Sequence, residues 1–230
     1  MPYQLPCCRL SDGEPVPDYF RPVRIICIGR NYAAHAMEMG HDPQREPPFF
    51  FFKPLTALAR GGDFVLPVYS RDVHHELELV VALEQGGRNL NGEQARACVG
   101  GFGLGLDMTC RDVQQQLKAA GRPWELAKGF DGSAPCSPIA QGSFADLERL
   151  GTMRLTRNGE LVQQGHWREM IWQLPELLQQ ISTFVALQPG DLIFTGTPAG
   201  VGPVFSGDWL EASMEGFPHK LRLSVITEAG

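Results

Sequence analysis

The stretch His74-His75-Glu76-Leu77-Glu78-Leu79-Val80-Val81 places two acids one residue apart at the head of an apolar run. Read as a strand, it sends Glu76 and Glu78 to one face, with Cα atoms about 6.6 Å apart, and His75, Leu77, Leu79 and Val81 to the other. Two carboxylates converging to ~5 Å repel by roughly 3 kcal/mol at an effective dielectric of about 20. A folded site therefore needs a proton, a basic residue or a metal cation between them. Which of the three it is decides the chemistry.

Strand-like segments recur on either side of this one. Residues 23–28, 49–52, 64–68, 99–108, 153–157, 160–164, 192–195, 209–214 and 221–227 have the β-branched or alternating pattern, and 76–83 is the acidic strand itself. Asn158-Gly159 between two such runs is a hairpin signal. Helices are expected over 31–39, 92–98, 112–120 with Asp112 as cap, and 174–184 with Pro175 in its first turn. They do not alternate regularly with the strands, so neither a TIM barrel nor a doubly wound sheet fits. Residues 1–22 carry five prolines and read as a structural lead-in, a loose segment or a short strand pair.

The chain has 230 residues, 43% hydrophobic and 20% charged, which argues for a globular fold and against disorder. One domain over 1–230 is expected at this length. A net charge of -6 offers no electrostatic reason to bind nucleic acid or an anionic membrane. No apolar run approaches the ~20 residues of a membrane span, and the start lacks the charged and apolar regions of a signal peptide. A cytoplasmic protein acting on a small molecule is expected. The six cysteines form no C-x-x-C pair and read as free thiols, with Cys7-Cys8 an exposed-looking vicinal pair.

Four further features carry chemistry. Asp107, near the end of the glycine-interrupted run 99–108, adds a third carboxylate, and three carboxylates suit a hard divalent ion better than zinc. His35 and Glu38 lie three apart and share a helix face, as a surface ion pair or as a base that activates water. Lys53, between four phenylalanines and a proline, is oddly placed for a solvated lysine, and Lys128 sits in a glycine-flanked segment as an anion binder or plain surface. Thr195–Pro203 is glycine-rich but lacks a Gly-Lys-Ser/Thr ending. Its N–H groups and the Thr197 hydroxyl suit a carboxylate or oxyanion, unless it is simply a tight turn.

Together these motifs resemble the fumarylacetoacetate hydrolase family. The matching segments are Gly29-Arg30-Asn31-Tyr32-Ala33-Ala34-His35, His75-Glu76-Leu77-Glu78, Leu106-Asp107-Met108-Thr109-Cys110-Arg111-Asp112 and Gly196-Thr197-Pro198-Ala199-Gly200-Val201-Gly202-Pro203. Within the family the chain looks most like the acylpyruvate hydrolase and oxaloacetate decarboxylase branch. The resemblance implies a mixed β-rich α+β fold, a β-sandwich roll with a few short helices, in a homodimer around Mg²⁺ or Mn²⁺. It assigns the metal to Glu76, Glu78 and Asp107, water activation to His35 and Glu38, and polarisation of substrate oxygen to Lys128. Gln114 and Thr197 would meet the substrate carboxylate, with Arg30 and Lys53 near the site. The implied reaction is cleavage of a 2,4-dioxo acid to pyruvate and a carboxylic acid, or decarboxylation of oxaloacetate at the same site. A binding protein that holds a metal or keto acid without catalysis is the reading from a different class. Arg122 or Arg45 would serve a distal carboxylate on a fumaryl substrate, and Phe49–Phe52, Trp124 and Phe130 are either pocket wall or core.

Overall fold

The acidic strand lies in the interior of an eight-stranded mixed sheet in a computed structural model that describes residues 3–33 and 47–228. The order across the sheet is Pro15–Phe20, Leu5–Arg9, Ile139–Gln141, Val99–Leu106, Leu77–Leu83, Asp191–Phe194, Arg24–Gly29 and Phe49–Lys53. Most neighbours are antiparallel. Leu5–Arg9 beside Ile139–Gln141, and Asp191–Phe194 beside Arg24–Gly29, are parallel. A five-stranded sheet in the order Glu160–His166, Thr152–Arg157, Trp209–Met214, Leu221–Thr227 and Gly62–Leu66 packs across it, with smaller sheets closing the ends. Helices lying wholly among the described residues are short: Gly92–Ala97, Arg111–Ala119, Glu125–Lys128 and Leu174–Phe184. This is the expected mixed β-rich α+β roll.

Strand alternation explains the layering. Leu77, Leu79, Val81 and Leu83 face the larger core, where they join Leu104 and Leu106 and meet Met153, Leu155, Leu210, Ala212 and Leu223 from the five-stranded sheet. Val80 and Ala82 point the other way, into a smaller cluster with Ile25, Cys27, Cys136, Ile139 and Phe194. Glu78 shares that second face, so its carboxylate sits at the end of an apolar layer. The larger core also buries one side of Leu174–Phe184 through Leu174, Leu177, Leu178 and Ile181.

The hairpin turn forms as expected, with Asn158 and Gly159 both at positive φ (55° and 87°), the type I′ requirement. Several details differ from expectation. The strand begins at Leu77, so Glu76 sits in a break after Val73–His75. That break belongs to a change of partner, because Val73–His75 pairs with Thr109–Cys110 and Gly202–Pro203. Residues 62–66 form the strand expected at 64–68. Asp112 is not the cap of its helix: Cys110 occupies that position, and Asp112 accepts from Ser70 Oγ (2.6 Å) and Arg71 N (3.0 Å) instead, tying the helix start to the preceding loop. Cys7 and Cys8 are buried rather than exposed, on a strand covered on both faces, and all six cysteines are free. The lead-in forms the strand pair Leu5–Arg9 and Pro15–Phe20.

Glycines at close approaches set two expected stabilities. A Cβ on Gly105, opposite Glu78, would lie 2.5 Å from the Phe194 ring and 2.6 Å from Val80, so Gly105→Ala should destabilise by about 2–3 kcal/mol through overpacking. Gly159 has open space around it, so Gly159→Ala should cost only about 1 kcal/mol, for its positive φ. Thermal melts of the two variants check the order.

Candidate metal-binding active site

Strand register brings the acids together. Leu77 pairs with Leu106 in the antiparallel ladder, and one step further Asp107 N donates to Glu76 O at 2.9 Å. Glu76 and Asp107, distant in sequence, thereby become cross-strand neighbours on one face, with Glu78 two residues along. Ligand atoms of the three acids all lie within 4.8 Å of one another, and all three side chains are buried.

The acids are compensated unequally. Arg111 Nη2 donates to Glu76 Oε1. Lys128 Nζ donates to Glu76 Oε2 (2.9 Å), Asp107 Oδ2 (2.7 Å) and Thr109 Oγ1 (2.6 Å). Lys53 Nζ stands 2.8 Å from Asp107 Oδ1. Glu78, only 1% exposed, accepts from Gly196 N at 2.9 Å, and among the described residues no side-chain cation is within ion-pair distance of it. Burial, and then the charges of Asp107 and Glu76, push its carboxyl well above the usual range. Basic residues therefore answer for Glu76 and Asp107, while Glu78 calls for a proton or a metal ion. An all-carboxylate donor set with one uncompensated, wholly buried member fits a hard divalent cation.

Lys128 ends the short helix Glu125–Lys128 and is buried. Burial pulls its ammonium down, but Asp107 and Glu76 outweigh that and the net shift is upward. It is a fixed positive charge and donor. Lys53 stands behind the acids, away from the cavity they floor. Its side chain is fully buried, and its ammonium faces Met108 O (3.2 Å), Ser133 O (2.9 Å), Ser133 Oγ (3.0 Å) and the carbonyl of Lys128. It thus links Asp107 to the helix that carries Lys128, beside the acid cluster.

A cavity of about 250 Å³ opens over the acids, and Arg30, Gln114, Lys128 and Thr197 line it with them. Gln114 Oε1 accepts from Arg111 Nη1 (2.5 Å), which leaves the Gln114 amide N–H groups available. Thr197 Oγ1 accepts from Gln163 Nε2 (2.9 Å), which leaves the Thr197 O–H available. Both polar groups are thus set as donors, the polarity a carboxylate requires. Phe49, Phe51 and Trp124 form pocket wall, whereas Phe50 and Phe130 pack against the core. Arg122 lines an adjoining hollow with Phe49–Phe52. His35, Glu38 and Arg45 lie outside the described residues.

Arg111 and Gln163 were not singled out by sequence reasoning. Arg111 carried a signal, three residues before Gln114 on the same helix face. Gln163 carried none: it reaches His75 Nδ1 (2.8 Å), Leu77 N (3.0 Å) and Thr197 across the roll, from a hairpin whose pattern shows only an inward position.

The β-roll and its buried carboxylate cluster define a class of enzyme built around a divalent-ion site. Residues 24–223 match the fumarylacetoacetate hydrolase C-terminal family, and the chain belongs to that family. Among solved structures it is similar to fumarylpyruvate hydrolase from Pseudomonas aeruginosa in complex with Mn²⁺ and pyruvate, with a TM-score of 0.90, 39% identity, and coverage of 98% of this chain and 97% of that one. It is 41% identical over 205 residues to an oxaloacetate tautomerase of Escherichia coli, covering 88% and 92% of the two chains. It is 39% identical over 206 residues to a mitochondrial oxaloacetate decarboxylase of Dictyostelium discoideum, covering 88% and 94%. No helix among the described residues is long and apolar enough to cross a membrane.

Replacing Lys53 with Met keeps the volume but strands carbonyls and one carboxylate oxygen without a donor. That change should cost about 3–5 kcal/mol, as removal of one partner from a buried charged network does. The Arg9–Asp12 pair is solvent-exposed, and Arg9→Met should leave the stability close to that of the wild type. Denaturant titration of both variants checks the contrast.

Proposed function

We propose that the chain is a metal-dependent hydrolase that cleaves the C3–C4 bond of 2,4-dioxo acids to pyruvate and a carboxylic acid. The observation that carries this reading is the cluster of Glu76, Glu78 and Asp107 under a cavity where Gln114 and Thr197 present donors and Lys128 a buried positive charge. In this reading Glu76, Glu78 and Asp107 hold Mg²⁺ or Mn²⁺. The ion supplies Lewis-acid withdrawal of electron density from the 2-oxo acid end of the substrate.

The chain's own residues do the rest. Gln114 N–H and the Thr197 hydroxyl hold the substrate carboxylate. His35, oriented by Glu38, takes a proton from the water that adds to C4. Lys128 stabilises the oxyanion formed there, as a preorganised charge in a dry site. The C3–C4 bond then breaks with its electron pair on C3, which takes up a proton to give pyruvate, and the acyl group leaves as its acid.

Oxaloacetate decarboxylation is the second activity of this reading, favoured by the relatives named for oxaloacetate chemistry. There the C3–C4 bond would break with release of carbon dioxide, its electron pair would stay on C3, which takes up a proton to give pyruvate, and no activated water is needed. The reading also takes residues 1–230 as a single catalytic domain that forms a homodimer in the cytoplasm. Six free, buried thiols support a reducing compartment, and sedimentation analysis checks the dimer.

Acetylpyruvate with Mg²⁺ should lose its enol absorbance on adding the protein, and a chelator should stop the loss. No turnover of acetylpyruvate, fumarylpyruvate or oxaloacetate, alongside tight Mn²⁺ binding, would instead make the chain a non-catalytic binder. Mn²⁺ should raise the melting temperature of the wild type, and Glu78→Gln should remove most of that rise together with both activities. His35→Ala should lower hydrolysis by roughly 10²-fold or more, as loss of a general base does, and decarboxylation far less. Equal losses in the two assays would overturn the base assignment.

A further inference from the structure

Gln163, in the middle of the strand Glu160–His166, is 2% exposed and stands behind the cavity wall, not in it. Its amide is nevertheless engaged on both sides, by the segment that carries the acids and by the loop that carries Thr197. Two of its partners are backbone groups, and they fix which way the amide faces. Leu77 N only donates, so the atom 3.0 Å from it is the amide oxygen. Pro198 O only accepts, so the atom 3.0 Å from it is the amide nitrogen. The side-chain partners are then left without a choice. His75 Nδ1, 2.8 Å from the amide oxygen, carries a proton and donates it. Thr197 Oγ1, 2.9 Å from the amide nitrogen, accepts, and its own proton points elsewhere.

The loop that carries Thr197 is seated on the same strand. A Cβ on Gly200 would meet Val162 O at 2.2 Å, and a Cβ on Gly165 would meet the Pro198 ring at 2.5 Å. Glycine at these two positions lets loop and strand approach closely on either side of Gln163. Before Thr197 the loop is tied again, by Asn31 Nδ2 donating to Thr195 O at 2.9 Å and by Gly196 N donating to Glu78. The position of Thr197 is therefore set by its neighbours, and the direction of its proton is set by Gln163.

We infer that Gln163 makes the site select a carboxylate over a neutral amide at the 2-oxo acid end of the ligand, by compelling the Thr197 hydroxyl to donate into the cavity. The inference rests on the reading above that Thr197 meets the substrate carboxylate. Gln163 acts through Thr197, so it is a positioning residue. A hydroxyl free to turn would donate to a carboxylate and accept from an amide N–H. Held by Gln163, it only donates. An amide nitrogen placed against it would set donor against donor and leave a buried N–H without a partner. The oxygen of the same amide holds Leu77 N, between Glu76 and Glu78, so one side chain braces both the acids and the carboxylate donor.

The test measures pyruvate and pyruvamide binding to the Mn²⁺-loaded protein by calorimetry and takes the ratio of the two dissociation constants within each protein. Wild type should prefer pyruvate by at least about tenfold, the scale of one hydrogen bond to a charged group. Gln163→Met removes the donor at similar volume and should lower the preference at least about threefold. Gln163→Glu should lower it too: an ionised carboxylate draws the Thr197 proton onto itself, and a protonated one has a single proton for two acceptors. Thr197→Val should also lower the preference. Adding Gln163→Met to Thr197→Val should then change the ratio by less than about twofold, because nothing is left for Gln163 to act through. A purely structural loss would weaken both ligands alike and leave the ratio unmoved. A wild-type ratio near one, an unchanged ratio in whichever Gln163 variant folds, or additive effects in the double variant would overturn the inference. Ratios that behave as expected while acetylpyruvate, fumarylpyruvate and oxaloacetate all stay uncleaved would sink the hydrolase reading and leave the role of Gln163 standing. Unmoved ratios alongside cleavage of acetylpyruvate would do the reverse.

Discussion

Three carboxylates confined within a few ångströms in a low-dielectric interior are the constraint around which the rest of the site is arranged. Each buried charge must be met by an opposite charge or a proton, since desolvation alone costs several kcal/mol per ion. The chain meets the cost by position. Arg111 reaches Glu76 from a helix start, and Lys128 reaches Glu76 and Asp107 from a short helix. Among the described residues Glu78 keeps one backbone donor, Gly196 N. It is the member that calls for a proton or a metal ion, and this distinguishes the cluster from a closed ion-pair network.

Placement of the compensating groups depends on layers that carry no chemistry. Lys128 is held where it is because Lys53 binds its carbonyl and stands against Asp107, so one buried ammonium fixes both a proposed ligand and a proposed donor. Gln163 does the same on the opposite side, orienting His75 and Thr197 together. Side chains that function requires to be exact in position are thus each braced by a second side chain on a different element, the usual condition for a preorganised site.

Much of this was legible from local pattern. Residues 174–184 are the helix expected, and Asn158-Gly159 is the turn expected, because in each case propensity, capping and apolar spacing agree. The acids 76, 78 and 107 stood out because charge in an apolar strand is costly and therefore marked. Errors fell where tertiary contact overrides a local preference. Asp112 has the sequence position of a cap but serves a loop across from its helix, and Cys7 and Cys8 form an exposed-looking pair in the sequence yet are covered by the sheet.

The sequence by itself determined that Glu76 and Glu78 share a face, since strand side chains alternate, and that something must offset their repulsion. Only the tertiary structure decided what offsets which. The ladder register made Asp107 a neighbour of Glu76, and chain crossings far apart in sequence delivered Arg111 and Lys128 to some acids and none to Glu78. Those pairings depend on strand register and on the packing of distant segments, which no local period encodes.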